Sequence, residues 1–358
     1  MKKEYNISGI QQAGVGVSNV HEAWKWYYKY FGADVRVFED KAEANLMQTY
    51  TGGQPRQRHA ALAVNLQGGG GFEIWQYTCR TPQPAAFDIK VGDLGLYAVK
   101  IKCKNIEETY KHFTENGQKV TSIEKGVDGK NTFFVYDPYG NVFQLVESTN
   151  WFKNENKLTG LVYGVVIGVK NIEKSLVVYS DILGYDKVVS DKSGQFDDLK
   201  LLNGGNCSFR RVLLTHSKPR MGAFSRLFGD SFIELIEVKD TEPRKIFENR
   251  FWGDLGFIHL CFDINNMANL REYCTSKGFP FTADSERGLD GKIFDMGEAS
   301  GSFSYIADPD GALIEFVETH RVPIAKKFGL YLNLSKRNPL KPLPNIIVKA
   351  LGLNRVKF

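Results

Sequence analysis

Val15-Gly16-Val17-Ser18-Asn19, followed by an amphipathic segment that closes at Gly32, decides the fold because the chain repeats it three more times. The other copies run from Ile101-Lys102-Cys103-Lys104-Asn105 to Gly117, from Ile167-Gly168-Val169-Lys170-Asn171 to Gly184, and from Phe262-Asp263-Ile264-Asn265-Asn266 to Gly278. The Asn-to-Gly spacing is 13, 12, 13 and 12 residues. Asparagine is a good helix N-cap, since its side-chain oxygen accepts free backbone N–H groups of the first turn. Glu22 and Glu108 stand three residues later, in the capping-box position. Glycine closes a helix in the left-handed conformation. Between the two signals, Val20, Ala23, Trp24, Tyr27 and Phe31, and again Ile172, Leu176, Tyr179 and Leu183, recur at helical spacing. Each unit therefore opens with a strand and a three-turn helix.

The segments after the helices read as β-structure, as in His59-Ala60-Ala61-Leu62-Ala63-Val64 and Thr132-Phe133-Phe134-Val135-Tyr136. Each unit ends on a strand with a common core: Phe72-Glu73-Ile74, Phe143-Gln144-Leu145, Ile233-Glu234-Leu235 and Ile314-Glu315-Phe316. In the second and fourth units a tight turn precedes it, Asp137-Pro138-Tyr139-Gly140 and Asp308-Pro309-Asp310-Gly311. The plan is strand, helix and about three strands, four times over. The fold class is α+β: four βαβββ units paired into two domains, 7–149 and 158–320, with a basic extension over 321–358.

Composition narrows the function. The chain has 358 residues, 42% apolar and 24% charged, which is the composition of a globular protein of two domains. No apolar run approaches the ~18 residues of a membrane span, and Met1–Ile10 lacks the apolar stretch of a secretory leader. Five scattered cysteines, none in a CxxC pair, argue against a disulfide framework and for a reducing compartment. The expected location is the cytoplasm. The net charge of +5 belongs to the tail, where nine lysines and arginines meet no acidic residue, leaving −4 on the body. Within the tail, Asn345–Phe358 reads as a short basic amphipathic helix, expected to pack on its own body or on another subunit. No nucleic-acid module is legible, and the expected partner is a small-molecule substrate.

Four such units, with the Asp-Pro-x-Gly turn and the Ile-Glu-Phe strand, resemble the vicinal oxygen chelate superfamily, which includes glyoxalase I, extradiol dioxygenases and bleomycin-resistance proteins. The resemblance spans about Ile7 to Thr319. It implies that two units form one U-shaped sheet around one site, so that the chain holds two cups. It also implies ligand positions seven residues before the capping asparagine and at the centre of the closing triplet. In the N-terminal half these hold Gln12, Glu73, Ala98 and Gln144, a poor cage for a divalent ion. In the C-terminal half they hold Gly164, Glu234, His259 and Glu315.

The C-terminal cup is thus the expected metal site, with Glu234, His259 and Glu315 as ligands to one divalent ion (Fe, Mn, Ni, Co or Zn) and Glu234 or Glu315 as proton carrier. One imidazole and two carboxylates suit these ions and leave positions open for substrate oxygens. A histidine in an apolar strand is also the pattern of a hydrogen-bonded core residue. In Phe257-Ile258-His259-Leu260-Cys261, strand alternation puts His259 on one face with Phe257 and Cys261. Glu237 competes with Glu234 if the register slips. Gln12 and Glu73 are expected as substrate-binding groups. So are Arg210 and Arg220, in a long stretch with Arg211, His216, Lys218 and Arg226 that reads as a loop over the cup. The expected activity is glyoxalase-like proton transfer, of isomerase or lyase type, on a small substrate with adjacent oxygens. The alternatives are a ring-cleaving or 2-oxo-acid dioxygenase and a metal-free binder of the bleomycin-resistance type.

Overall fold

The computed structural model describes residues 2–288, 301–325 and 329–358. All four units take the strand–helix–three-strand form. Unit 1 comprises β1 (Asn6–Gly16), α1 (Val20–Phe31), β2 (Val35–Glu43), β3 (Gln57–Val64) and β4 (Gly71–Tyr77). Unit 2 comprises β5 (Gly95–Cys103), α2 (Ile106–Glu115), β6 (Glu124–Lys125), β7 (Asn131–Tyr136) and β8 (Val142–Glu147). Unit 3 comprises β9 (Thr159–Gly168), α3 (Ile172–Leu176), β10 (Lys187–Gly194), β11 (Phe209–Thr215), a short α4 (Ser225–Phe228) and β12 (Phe232–Val238). Unit 4 comprises β13 (Gly256–Asn265), α5 (Met267–Ser276), β14 (Ala283–Asp284), β15 (Gly301–Ala307) and β16 (Leu313–Thr319).

The four asparagine caps form as the sequence predicts. Asn19 accepts the N–H groups of His21 and Glu22, Asn105 that of Glu108, Asn171 that of Lys174 and Asn266 that of Asn269. The closing glycines Gly32, Gly117, Gly184 and Gly278 all have positive φ, between +62° and +87°. The third helix departs from the plan, since after Leu176 it continues as π-helix over Val177–Ile182. A second repeated cap was not foreseen. The side chain three residues after each closing-strand ligand position accepts the first N–H of the helix: Gln76 from Val20, Glu147 from Ile106, Glu237 from Ile172 and Glu318 from Met267. Glu237 is therefore a helix cap and not a rival of Glu234.

The sheets do not follow the halves 7–149 and 158–320. One eight-stranded sheet runs β14-β15-β16-β13-β1-β4-β3-β2 and joins units 1 and 4; the other runs β10-β11-β12-β9-β5-β8-β7-β6 and joins units 2 and 3. Their centres are the antiparallel pairs β1–β13 and β5–β9. The physical reason lies on the helix side. The Tyr27 hydroxyl of α1 donates to Asp137 in the turn of unit 2 at 2.7 Å, and Tyr179 of unit 3 donates to Asp308 of unit 4 at 2.8 Å. Consecutive units are thus bound to each other through helix and turn, and each completes its sheet with another unit. One continuous core, including Tyr27, Phe31, Phe72, Phe143, Tyr179, Phe262 and Phe316, lies between the helices and the helix-facing sides of both sheets.

The extension packs on the chain's own body. Leu343, Val348 and Leu351 are buried against Val35, Val64, Leu66, Leu227 and Phe228. Arg355 pairs with Asp34 and Glu155, and Phe358 meets the rings of Trp24 and Tyr28 edge-on. Its helix is shorter than expected, with α-helix over Asn345–Lys349 only. Residues 326–328 of the extension lie outside the described residues. No helix of the described residues is long and apolar enough to cross a membrane.

Candidate metal centre

Pairing units 1 and 4 changes which ligand positions meet. Gln12 on β1, Glu73 on β4, His259 on β13 and Glu315 on β16 converge inside the 1–4 cup. His259 Nε2 lies 3.2 Å from a Glu73 oxygen and 3.1 Å from a Glu315 oxygen. Gln12 Nε2 lies 3.4 Å from both carboxylates. One ligand atom each from Glu73, His259 and Glu315 fall within 4.8 Å of one another. The Gln12 and Glu73 positions, expected to bind substrate, therefore complete the set. Glu234, expected beside His259, is in the other cup.

The backbone makes this convergence possible. Gly14 pairs with His259 across β1–β13, and a Cβ on Gly14 would sit 2.5 Å from the imidazole. A β-bulge skips Ile258 in the pairing, between Gly14–His259 and Val15–Phe257. The bulge breaks the alternation expected for this strand. Ile258 joins His259 on the cup side, whereas Phe257 turns to the helix side against Phe143. Trp75, Tyr77, Trp252 and Tyr305 line the cup around the polar centre.

Two buried atoms at this centre have no hydrogen-bond partner in the protein, Gln12 Oε1 and His259 Nε2. The second lies 3.2 and 3.1 Å from the Glu73 and Glu315 carboxylates, so it is surrounded by negative charge. Buried polar atoms are normally satisfied, so these are the two atoms for which an ion is the natural partner. Tyr305 donates to Glu315 Oε1 at 2.8 Å, and its oxygen lies 3.4 Å from His259 Nδ1, as does Trp252 Nε1. Burial alone would lower the His259 pKa, but the neighbouring carboxylates of Glu315 and Glu73 override it and raise it. Burial, with repulsion from Glu73, raises that of Glu315.

The 2–3 cup holds no such vacancy of charge. Its ligand positions are Ala98, Gln144, Gly164 and Glu234, and only Glu234 is charged. Glu234 is fully buried and accepts from Lys100 Nζ at 2.6 Å and from Arg211 Nε at 2.6 Å. Lys100 also donates to Gln144, while Arg211 grips Asp198 with two bonds of 2.6 and 2.9 Å. Two cations thus face two carboxylates. Despite burial, Arg211 and Lys100 hold the Glu234 pKa down at about 2. Lys100 and Arg211 carry this network, and sequence reading gave neither a role in it. The signal was available: Lys100 stands two residues after Ala98, on the same face of a buried strand.

The remaining basic residues do not face a cup. The stretch read as a loop contains β11, on which Arg210 and Arg211 point to opposite sides. Arg210 is bound on the outside by Glu173 and Asp191, and Arg220 donates to the Leu183 carbonyl at 2.8 Å and stacks on Tyr185. His216 Nδ1 meets the Lys218 carbonyl at 2.8 Å. Arg210 and Arg220 are thus engaged by the chain's own groups and not by a cup, which removes the expected grip on an anionic substrate at these two residues.

A family model described as Glyoxalase/Bleomycin resistance protein/Dioxygenase superfamily matches residues 9–145 and 163–316. The chain belongs to this superfamily. Among solved structures, this superfamily member is similar to glyoxalase I from Zea mays, with 14% identity over 88% of this chain and 92% of that one and a TM-score of 0.53. It is also similar to a Bacillus subtilis protein provisionally assigned as a dioxygenase, with 15% identity over 87% and 86% of the chains and a TM-score of 0.54. At such identities the likeness concerns the fold. No curated protein sequence matches the chain.

Proposed function

We propose that the chain is a metal-dependent enzyme of the glyoxalase type, moving a proton on a small substrate with two adjacent oxygens. The observation that supports this is the charge of the 1–4 cup. Glu73 and Glu315 converge with Gln12 and His259, and among the described residues no lysine or arginine pairs with either carboxylate. A divalent ion is the complement of that charge. Gln12 Oε1, His259 Nε2 and one oxygen each of Glu73 and Glu315 would hold it, with manganese, iron, cobalt, nickel or zinc suited to the donor set. When bound, such an ion acts as a Lewis acid toward the substrate oxygens and stabilises the enolate-like charge that develops.

The chain's own groups account for the rest. Tyr305 fixes one oxygen of Glu315 and leaves the other turned to the centre. Glu315 is the carboxylate placed to take and return the proton, because one of its oxygens stays turned to the centre. Glu73 faces it across the same centre as the second proton carrier. The rings of Trp75, Trp252 and Tyr305 exclude water, which strengthens every charge interaction within the cup.

The test is metal analysis of protein purified without chelator, beside His259→Ala, combined with solvent-deuterium exchange at the carbon-bound hydrogen of 2-hydroxycarbonyl compounds. The expected result is an ion that His259→Ala loses and exchange that Glu315→Gln abolishes. A metal content that His259→Ala leaves unchanged from the wild type, or no ion in any preparation, overturns the reading in favour of a cup that binds its small molecule without metal. Oxygen consumption with catechols or 2-oxo acids would point to a dioxygenase instead.

A further inference from the structure

We propose a second divalent-metal site, formed by His21, Glu39 and His59 on the helix-bearing side of the 1–4 sheet. His21 lies in the first turn of α1, Glu39 on the edge strand β2 and His59 on β3. Glu39 pairs with Ala61 and Lys41 with His59, so Glu39 and His59 are diagonal neighbours on one face. His21 Nε2 lies 2.7 Å and His59 Nε2 3.1 Å from the same oxygen, Glu39 Oε1. The two rings stand perpendicular with centroids 5.3 Å apart, and the three ligand atoms fall within 4.8 Å of one another.

Three elements of different sequence origin thus aim two imidazole nitrogens and one carboxylate oxygen at a common point. His59 is 12% exposed and His21 59% exposed, so the site is anchored below and open to water above. Arg36 lies 3.4 Å from the other oxygen, Glu39 Oε2, and orients the carboxylate without entering the cluster. Two imidazoles and a carboxylate with an open position are the donor set of zinc, cobalt and nickel, not of calcium or magnesium. Trp75 and Tyr77 point into the cup, whereas Gln76, between them, caps α1 beside His21 on the opposite side of the sheet. The site is therefore separate from the centre at His259. A metal bound here would clip the edge strand β2 to the start of α1.

The experiment is a zinc titration by calorimetry on the full chain after chelator treatment. Two ions per chain are expected for the wild type, and one each for His59→Gln and His259→Ala. If the cup binds no metal but this site does, the wild type takes one ion and His59→Gln none, so the two proposals fail separately. His21→Gln, at an exposed position, guards against loss through misfolding and should weaken the second site at least tenfold. Unchanged stoichiometry and affinity in both His21→Gln and His59→Gln overturn the proposal.

Discussion

The 1–4 and 2–3 cups arise from the same repeated unit, yet they solve the problem of buried charge in opposite ways. The 2–3 cup supplies its own cations: Lys100 and Arg211 meet Glu234 and Asp198, and the network is closed. The 1–4 cup gathers Glu73 and Glu315 around His259 and Gln12 and leaves two buried atoms unpartnered. An ammonium group fills in one cup the role that a metal ion would take in the other. The comparison teaches that one repeated scaffold accommodates a buried carboxylate at the same strand position either beside a lysine two residues along the opening strand or beside a histidine and a second carboxylate.

The comparison breaks most sharply at Gly14. Its added methyl in Gly14→Ala would lie 2.5 Å from the His259 ring and push it off the centre. Metal affinity in the 1–4 cup is expected to fall by about 100-fold or more, since displacing a ligand should cost at least as much as removing a group that orients one. Equilibrium dialysis at this site, with circular dichroism to confirm folding, reads the change. Retained affinity would mean that His259 is not a ligand.

Lys100→Met tests the other cup. It leaves Glu234 buried with Arg211 still bound to it but with the second cation gone, and breaking a buried pair in this way costs about 3–5 kcal/mol. Urea unfolding should show that loss while the metal content of the 1–4 cup stays as in the wild type. Equal stability would mean that the network is not what holds the 2–3 cup together.

Acid provides a third probe. The Glu234 pKa lies at about 2 in the folded chain against 4.5 for an ordinary glutamate, so its contribution is complete above about pH 4.5 and is lost as the pH falls toward 2. Asp198, whose pKa burial raises, works in the opposite sense and reduces the loss. The decline should be seen as a falling urea midpoint between about pH 4.5 and 2.5. Lys100→Met should flatten that slope.

Much of this was legible in the residues. The Asn-to-Gly spacing gave four helices with their caps, and the closing triplets placed Glu73, Glu234 and Glu315 on equivalent strands. The partner of each unit was not legible, because all four opening strands are buried on both faces and local pattern does not distinguish their neighbours. One indirect signal existed. Only the pairing of unit 1 with unit 4 assembles Gln12, Glu73, His259 and Glu315, whereas pairing within halves strands His259 beside Gly164. The bulge at Ile258 was not legible either, since it acts through register rather than through spacing in the chain.

Tyr305 offers the finest test of the comparison, because the 2–3 cup already contains the substituted form. Tyr305 pairs with Glu315 across β15–β16, and at the corresponding place on β7 Phe134 pairs with Gln144. The Tyr305 hydroxyl donates to Glu315 Oε1 at 2.8 Å and lies 3.4 Å from His259 Nδ1, so it bears on two of the ligands at once. Groups of this kind behind a metal ligand typically govern affinity by 10–100-fold. Tyr305→Phe should therefore weaken metal binding by about tenfold or more, with little change in folding, since a phenylalanine already packs well at the matching site. The reverse substitution, Phe134→Tyr, should bring no metal to the 2–3 cup, where Lys100 already occupies the carboxylate. If Tyr305→Phe leaves metal affinity unchanged, the hydroxyl serves packing alone, and the ligand geometry of the 1–4 cup rests on the backbone at Gly14 and Ile258.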